Sequence, residues 1–202
     1  MKRAALGIRM HSGWGVLVAV SGDANSLEVV DRRRIVIADP TLAGANQPYH
    51  HAANLRLSKL GLPESERYLA NYAAASERLA SAAVAAVVRE LEARHYRIVG
   101  SAVLLAAGRP LPSLAKILAA HPLIHTAEGE FFRHAVSQAC EGLKIPVTAI
   151  RERDLEERAK TAFGNEASQV QRKIATLGRS IGPPWTKDHK AAALAASVIL
   201  AR

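Results

Sequence analysis

Residues 5–20 read Ala-Leu-Gly-Ile-Arg-Met-His-Ser-Gly-Trp-Gly-Val-Leu-Val-Ala-Val, an apolar strand, a turn of small residues and a second apolar strand. The turn at Ser21-Gly22-Asp23-Ala24-Asn25 leads into a third extended stretch, residues 26–38, where Leu27, Val29, Val30, Ile35, Val36 and Ile37 favour strand and Asp39-Pro40 ends it. Turns this short leave no room for a crossover helix, so the three strands are expected to run antiparallel.

Thereafter the pattern changes to alternation. Residues 50–55 read as a short helix. Pro63-Glu64-Ser65-Glu66 reads as the start of a long one, reaching about His95, with Leu69, Tyr72, Leu79, Val84, Val87 and Leu91 at helical spacing. Residues 97–107 form a continuous apolar run closed by Gly108-Arg109-Pro110, the signature of a parallel strand buried on both faces. Helices are expected over 111–120 and 127–142, a short strand over 146–150, and helices over 152–161, 166–177 and 187–201. This order predicts an α/β fold: a five-stranded mixed sheet, three antiparallel strands then two parallel, flanked by helices. One domain over residues 1–202 is expected, with an insertion at 41–62.

Aromatic residues are only 4% of the 202, so the core must be built from Ala, Leu, Val and Ile. Cys140 is the sole cysteine; it excludes an internal disulfide and a cysteine zinc cluster, and its neighbours at helical spacing mark a buried thiol. No segment is apolar for long enough to span a bilayer and no signal-peptide pattern opens the sequence, so a cytoplasmic protein without membrane contact is expected. The formal net charge of +9 favours an anionic partner such as nucleic acid. Arg32-Arg33-Arg34 is the densest basic patch. Alternation along a strand sends Arg32 and Arg34 to one face and Arg33 to the other, and the competing role is a charged edge strand guarded against aggregation.

Several short motifs, in order along nearly the whole chain, resemble one family. Gly7-Ile8-Arg9-Met10-His11-Ser12-Gly13-Trp14-Gly15-Val16, Ala127-Glu128-Gly129, Gly142-Leu143-Lys144-Ile145-Pro146-Val147, Ser168-Gln169-Val170-Gln171-Arg172 and Asp188-His189-Lys190-Ala191-Ala192-Ala193-Leu194-Ala195 are similar to segments of the RuvC-type Holliday-junction resolvases, within the ribonuclease H-like superfamily. The resemblance implies that fold, a nucleic-acid partner, a homodimer, and phosphodiester cleavage by two divalent metals on four acidic or histidine side chains. Three of those four positions fall on Arg9, on Leu105 or Ala106, and on Ala192; only His189 matches. The expectation is therefore a degenerate site in a non-catalytic nucleic-acid-binding or processing domain, with no cofactor.

Two alternatives stand beside it. The first is a nuclease with a rearranged site, catalytic through Asp188, His189 and Glu130. It would hold magnesium, manganese or zinc on His11, Asp188 and His189, imidazole favouring the transition metals. The plainer role for Asp188 is to stabilise a helix start capped by Thr186. Glu130 and His134, four residues apart, could act as an acid-base pair, although Thr126 capping a helix with Glu128 and Glu130 in its first turn accounts for the same residues. His121 and His125 share that spacing, with Pro122 read as a break between them. The second alternative is an actin-like nucleotide-binding module around Gly13-Trp14-Gly15.

Overall fold

The computed structural model describes residues 1–55, 61–106 and 110–202. Five strands form one sheet: β1 (Lys2–Met10), β2 (Trp14–Ser21), β3 (Glu28–Val36), β4 (Tyr96–Leu105) and β5 (Val147–Arg151). The order across it is β3-β2-β1-β4-β5. β1–β2 and β2–β3 pair antiparallel, β1–β4 and β4–β5 parallel. This is the ribonuclease H-like arrangement expected from three helix-free strands followed by alternation. The first turn closes through the His11 N–H donating to Trp14 O at 2.7 Å, and Gly13 supplies the positive φ, +79°, that it needs.

The helices are α1 (Pro48–Asn54), α2 (Leu62–Ala93), α3 (Leu114–Leu118), α4 (His121–Gly142), α5 (Leu155–Phe163), α6 (Ala167–Thr176), α7 (Gly178–Ile181) and α8 (Lys187–Leu200). Strand parity sorts them into two layers. Leu6 and Ile8 of β1, with Leu17 and Ala19 of β2, point to the face covered by α2 and α4, where Leu91, Phe132 and Val136 meet them. Ala5, Val16 and Val18 point to the opposite face, covered by α8 with α5 and α6 behind it.

Alanine explains how closely α8 lies. A Cβ on Gly7 would stand 1.8 Å from the carbonyl oxygen of Ala192, so the helix backbone rests directly on β1. Only a strand glycine facing a helix rich in alanine permits that approach.

Three expectations change. The helix expected over 127–142 begins at His121: Pro122 lies in its first turn, where a missing N–H breaks no bond, so it opens the helix instead of interrupting it. Thr126 is accordingly inside the helix, its hydroxyl donating to Pro122 O at 3.0 Å, and caps nothing. The helix expected over 111–120 contracts to α3. Ala107, Gly108 and Arg109, where the apolar strand was to end, lie outside the described residues, as do residues 56–60 of the 41–62 segment.

Candidate functional site

β1 carries Gly7 and then Arg9 towards α8, so Arg9 emerges beside the start of that helix. Its guanidinium is held from two sides. Nε donates to Glu152 Oε1 at 3.0 Å and Nη2 to Glu152 Oε2 at 3.2 Å, a two-pronged grip on the residue that follows β5. Nη1 donates to Asp188 Oδ1 at 2.5 Å, in the first turn of α8. His11, from the β1–β2 turn, places Nε2 2.8 Å from Asp188 Oδ2. The same nitrogen lies 3.1 Å from Arg9 Nη1, so His11 meets both the carboxylate and the guanidinium. Arg9 and Asp188 are each about four-fifths buried, at 20% and 21% side-chain exposure.

The position to which the resemblance assigns a metal-binding carboxylate thus holds a guanidinium already bonded to the carboxylates around it. Ala192 packs against Gly7 with no exposed surface, and no oxygen donor is on offer there. Hard divalent cations need several oxygen ligands. These residues do not fit the pair of metals that the resemblance implies.

His189 turns away from this network. At the start of α8, the Thr186 backbone N–H donates to its Nδ1 at 3.3 Å and the Thr186 hydroxyl lies 2.8 Å from the same atom, a capping box with histidine in the third position. Burial holds the imidazole below its ordinary pKa, and the nearby Arg32 charge adds to that, against a smaller opposing pull from Asp188. Asp188 takes the helix-start role expected of it, and it meets His11 as well. The His189 imidazole is not brought to them.

The three arginines diverge in use. Arg32 and Arg34 share a face and Arg33 takes the other, as alternation predicts. Arg32 inserts its guanidinium among four backbone carbonyls, those of Ile181, Gly182, Pro183 and Pro184, at 2.6–3.2 Å, and so fixes the loop leading into α8. Arg33 pairs with Asp31 on its own strand and Glu90 on α2. Arg34 alone is exposed, with Cζ 4.1 Å from the centroid of Trp14, whose ring stacks on His11 at 4.3 Å and 15°. Trp14, Arg32, Arg34, Pro184, Asp188 and His189 border an open cleft of about 520 Å³. Arg158, Lys160, Arg172 and Lys187 are exposed on the same layer and carry no ion pair among the described residues.

Glu130 is not brought to Asp188 and His189. It lies on α4, across the sheet, and pairs with Arg133 at 2.9 Å; it shares a shallow pocket with His134. Glu128 is not a first-turn acid but a buried one, 1% exposed, facing His50.

Sequence reasoning missed one constellation. His50 on α1 meets His121 and His125 at the start of α4, each offering a ring nitrogen, all within 4.8 Å of one another. Among the described residues it is the sole group of three or more His, Cys, Asp or Glu that meets so closely. The i, i+4 spacing of His121 and His125 was the available signal, and reading Pro122 as a break concealed it.

No protein-family model matches the sequence and no curated protein is similar to it. Among solved structures, the chain is similar to RuvC of T. thermophilus in complex with a Holliday junction substrate, at 16% identity and a TM-score of 0.49, covering 98% of this chain and 91% of that one. It is also similar to the Thermus thermophilus RuvC structure, at 13% identity and a TM-score of 0.47, covering 96% and 92%. At these scores the likeness carries nothing about chemistry, and the fold class rests on strand order and direction.

Proposed function

We propose that this chain is a nucleic-acid-binding domain without two-metal catalysis, a non-catalytic accessory in DNA or RNA processing. The observation that carries the reading is the Arg9 guanidinium between Glu152 and Asp188. A cation is built into the chain where a metal-dependent nuclease would recruit one, and its partners are occupied. The net charge of +9 supplies the attraction to phosphate, and Arg34, Arg158, Lys160, Arg172 and Lys187 are exposed cations on one layer able to deliver it. Arg32, engaged with the loop before α8, shapes that face, while Arg33 lies on the other, paired with Asp31 and Glu90.

Fluorescence anisotropy against duplex DNA, four-way branched DNA and single-stranded RNA over a salt series tests it. Binding is expected to weaken linearly on a log–log plot, with a slope of roughly −0.9 per neutralised phosphate on duplex DNA. Arg34→Ala should flatten the slope by about one unit and Arg33→Ala should leave it unchanged. No binding to any probe at low salt removes the nucleic-acid reading. Magnesium- or manganese-dependent cleavage that Asp188→Ala abolishes removes the non-catalytic one and installs a rearranged nuclease in its place.

A further inference from the structure

We propose that His50, His121 and His125 form a transition-metal site of the zinc class, with three imidazole ligands and a fourth position open to solvent, which pins α1 onto α4. Two independent features meet there. The first is the trio itself: ring centroids 4.5–5.0 Å apart, rings inclined at 61–88° to one another, and one ring nitrogen of each within 4.8 Å of the other two. Tetrahedral zinc at about 2.0–2.1 Å from nitrogen sets its ligand atoms about 3.3 Å apart. Small rotations of His121 and His125, both exposed, close the remaining distance from the 4.8 Å limit within which the three now lie.

The second feature is Glu128, one turn beyond His125 on α4 and 1% exposed. Its Oε1 accepts the His50 backbone N–H at 3.1 Å and lies 3.0 Å from His50 Nδ1, off the direction of a hydrogen bond. Nδ1 of His50 and Oε2 of Glu128 are buried without any hydrogen-bond partner. A fully buried carboxylate with no cation beside it is costly. A metal held by Nε2 of His50 would leave the proton on Nδ1, and a small turn of the ring would aim that N–H at Glu128, 3.0 Å away, giving both orphaned groups a partner. That is the carboxylate–histidine–metal relay by which proteins orient their ligands. The arrangement uses imidazoles, not the oxygen ligands of a magnesium site, and lies across the sheet from Arg9. It is therefore independent of the proposed function.

The test is titration of metal-free protein, without a polyhistidine tag, with zinc chloride by calorimetry, and with cobalt chloride by visible absorption. Saturation at one metal per chain, a tetrahedral cobalt spectrum and a Tm raised by several degrees at about hundredfold excess over Kd are expected. His121→Ala/His125→Ala, altering exposed side chains only, should abolish saturable binding while leaving the metal-free Tm near that of the parent. Glu128→Gln should weaken zinc roughly 10–100-fold. No stoichiometric zinc binding by the parent protein, or undiminished binding by the double histidine variant, overturns the site. Loss of binding in the histidine variants with full affinity in Glu128→Gln overturns the relay.

Discussion

Replacing Arg9 with Met keeps most of the apolar stem and removes the guanidinium from between two carboxylates. What remains is Asp188 and Glu152 facing each other with only His11 to answer them. Removing one partner of a fully buried pair costs about 3–5 kcal/mol, whereas exposed pairs are worth about 0–1 kcal/mol. Arg9 and Asp188 are about one-fifth exposed and Glu152 about one-third, at 35%, which places this network between the limits and nearer the buried one. Arg9→Met should therefore cost about 2–3 kcal/mol. In a domain of this size that lowers Tm by roughly 4–12 °C. Urea unfolding followed by far-ultraviolet circular dichroism reads it as a lower midpoint at unchanged slope. Because stranded charges cause the cost, adding Glu152→Gln and Asp188→Asn to Arg9→Met should restore more than half of the loss. A single variant within about 0.5 kcal/mol of the parent would reduce the network to an ordinary surface contact. A triple variant no more stable than the single one would show that packing of the arginine stem carried the effect, not its charge.

Burial depresses the pKa of His189 below 6.5 in the folded chain, so as pH falls through that value the unfolded chain takes up a proton that the folded chain refuses. Stability should be level above about pH 7 and decline below about 6.5. His189→Gln, which preserves a capping-box residue, should remove that part of the decline in Tm measured across pH, and an identical profile in both proteins would contradict it. Gly7→Ala drives a methyl to 1.8 Å from Ala192 O and must displace α8, costing about 3 kcal/mol or more. Gly142→Ala, at the end of α4 with nothing within 4 Å of the added atom, should instead gain about 0.5–1 kcal/mol. Equal effects in chemical unfolding would refute the close approach of α8 to β1.

What was legible in the sequence was legible because it is local. Three strands with tight turns and an unbroken apolar run specify their own pairing, and Thr186 with Asp188 announces the start of α8. The contacts that define the two sites are not local. Arg9 finds Glu152 at a separation of 143 residues and Asp188 at 179, and nothing in the neighbourhood of any one of them names the others. Pro122 illustrates a different obstacle: proline stops a helix in its interior and starts one in its first turn, and the pattern of residues 121–130 fits both until the neighbouring helices are in place. The fate of Arg32 was equally hidden, since carbonyl groups belong to every residue and carry no mark in the sequence.

The seating of α8 on β1 imposes an order of events during synthesis. The face of β1 that bears Ala5, Gly7 and Arg9 is covered by a helix whose Asp188 follows Arg9 by 179 residues, while the opposite face can be covered as soon as α2 and α4 exist. A growing chain therefore holds a three-stranded meander with one side dressed and the other bare from the completion of α4 until α8 is made. Pairings between such distant segments are slow to form. An unfinished chain of this kind offers chaperones and aggregation the same bare strip of alanine, valine and glycine. Arrival of α8 closes it in one step, capturing the arginine side chain and the apolar strip together.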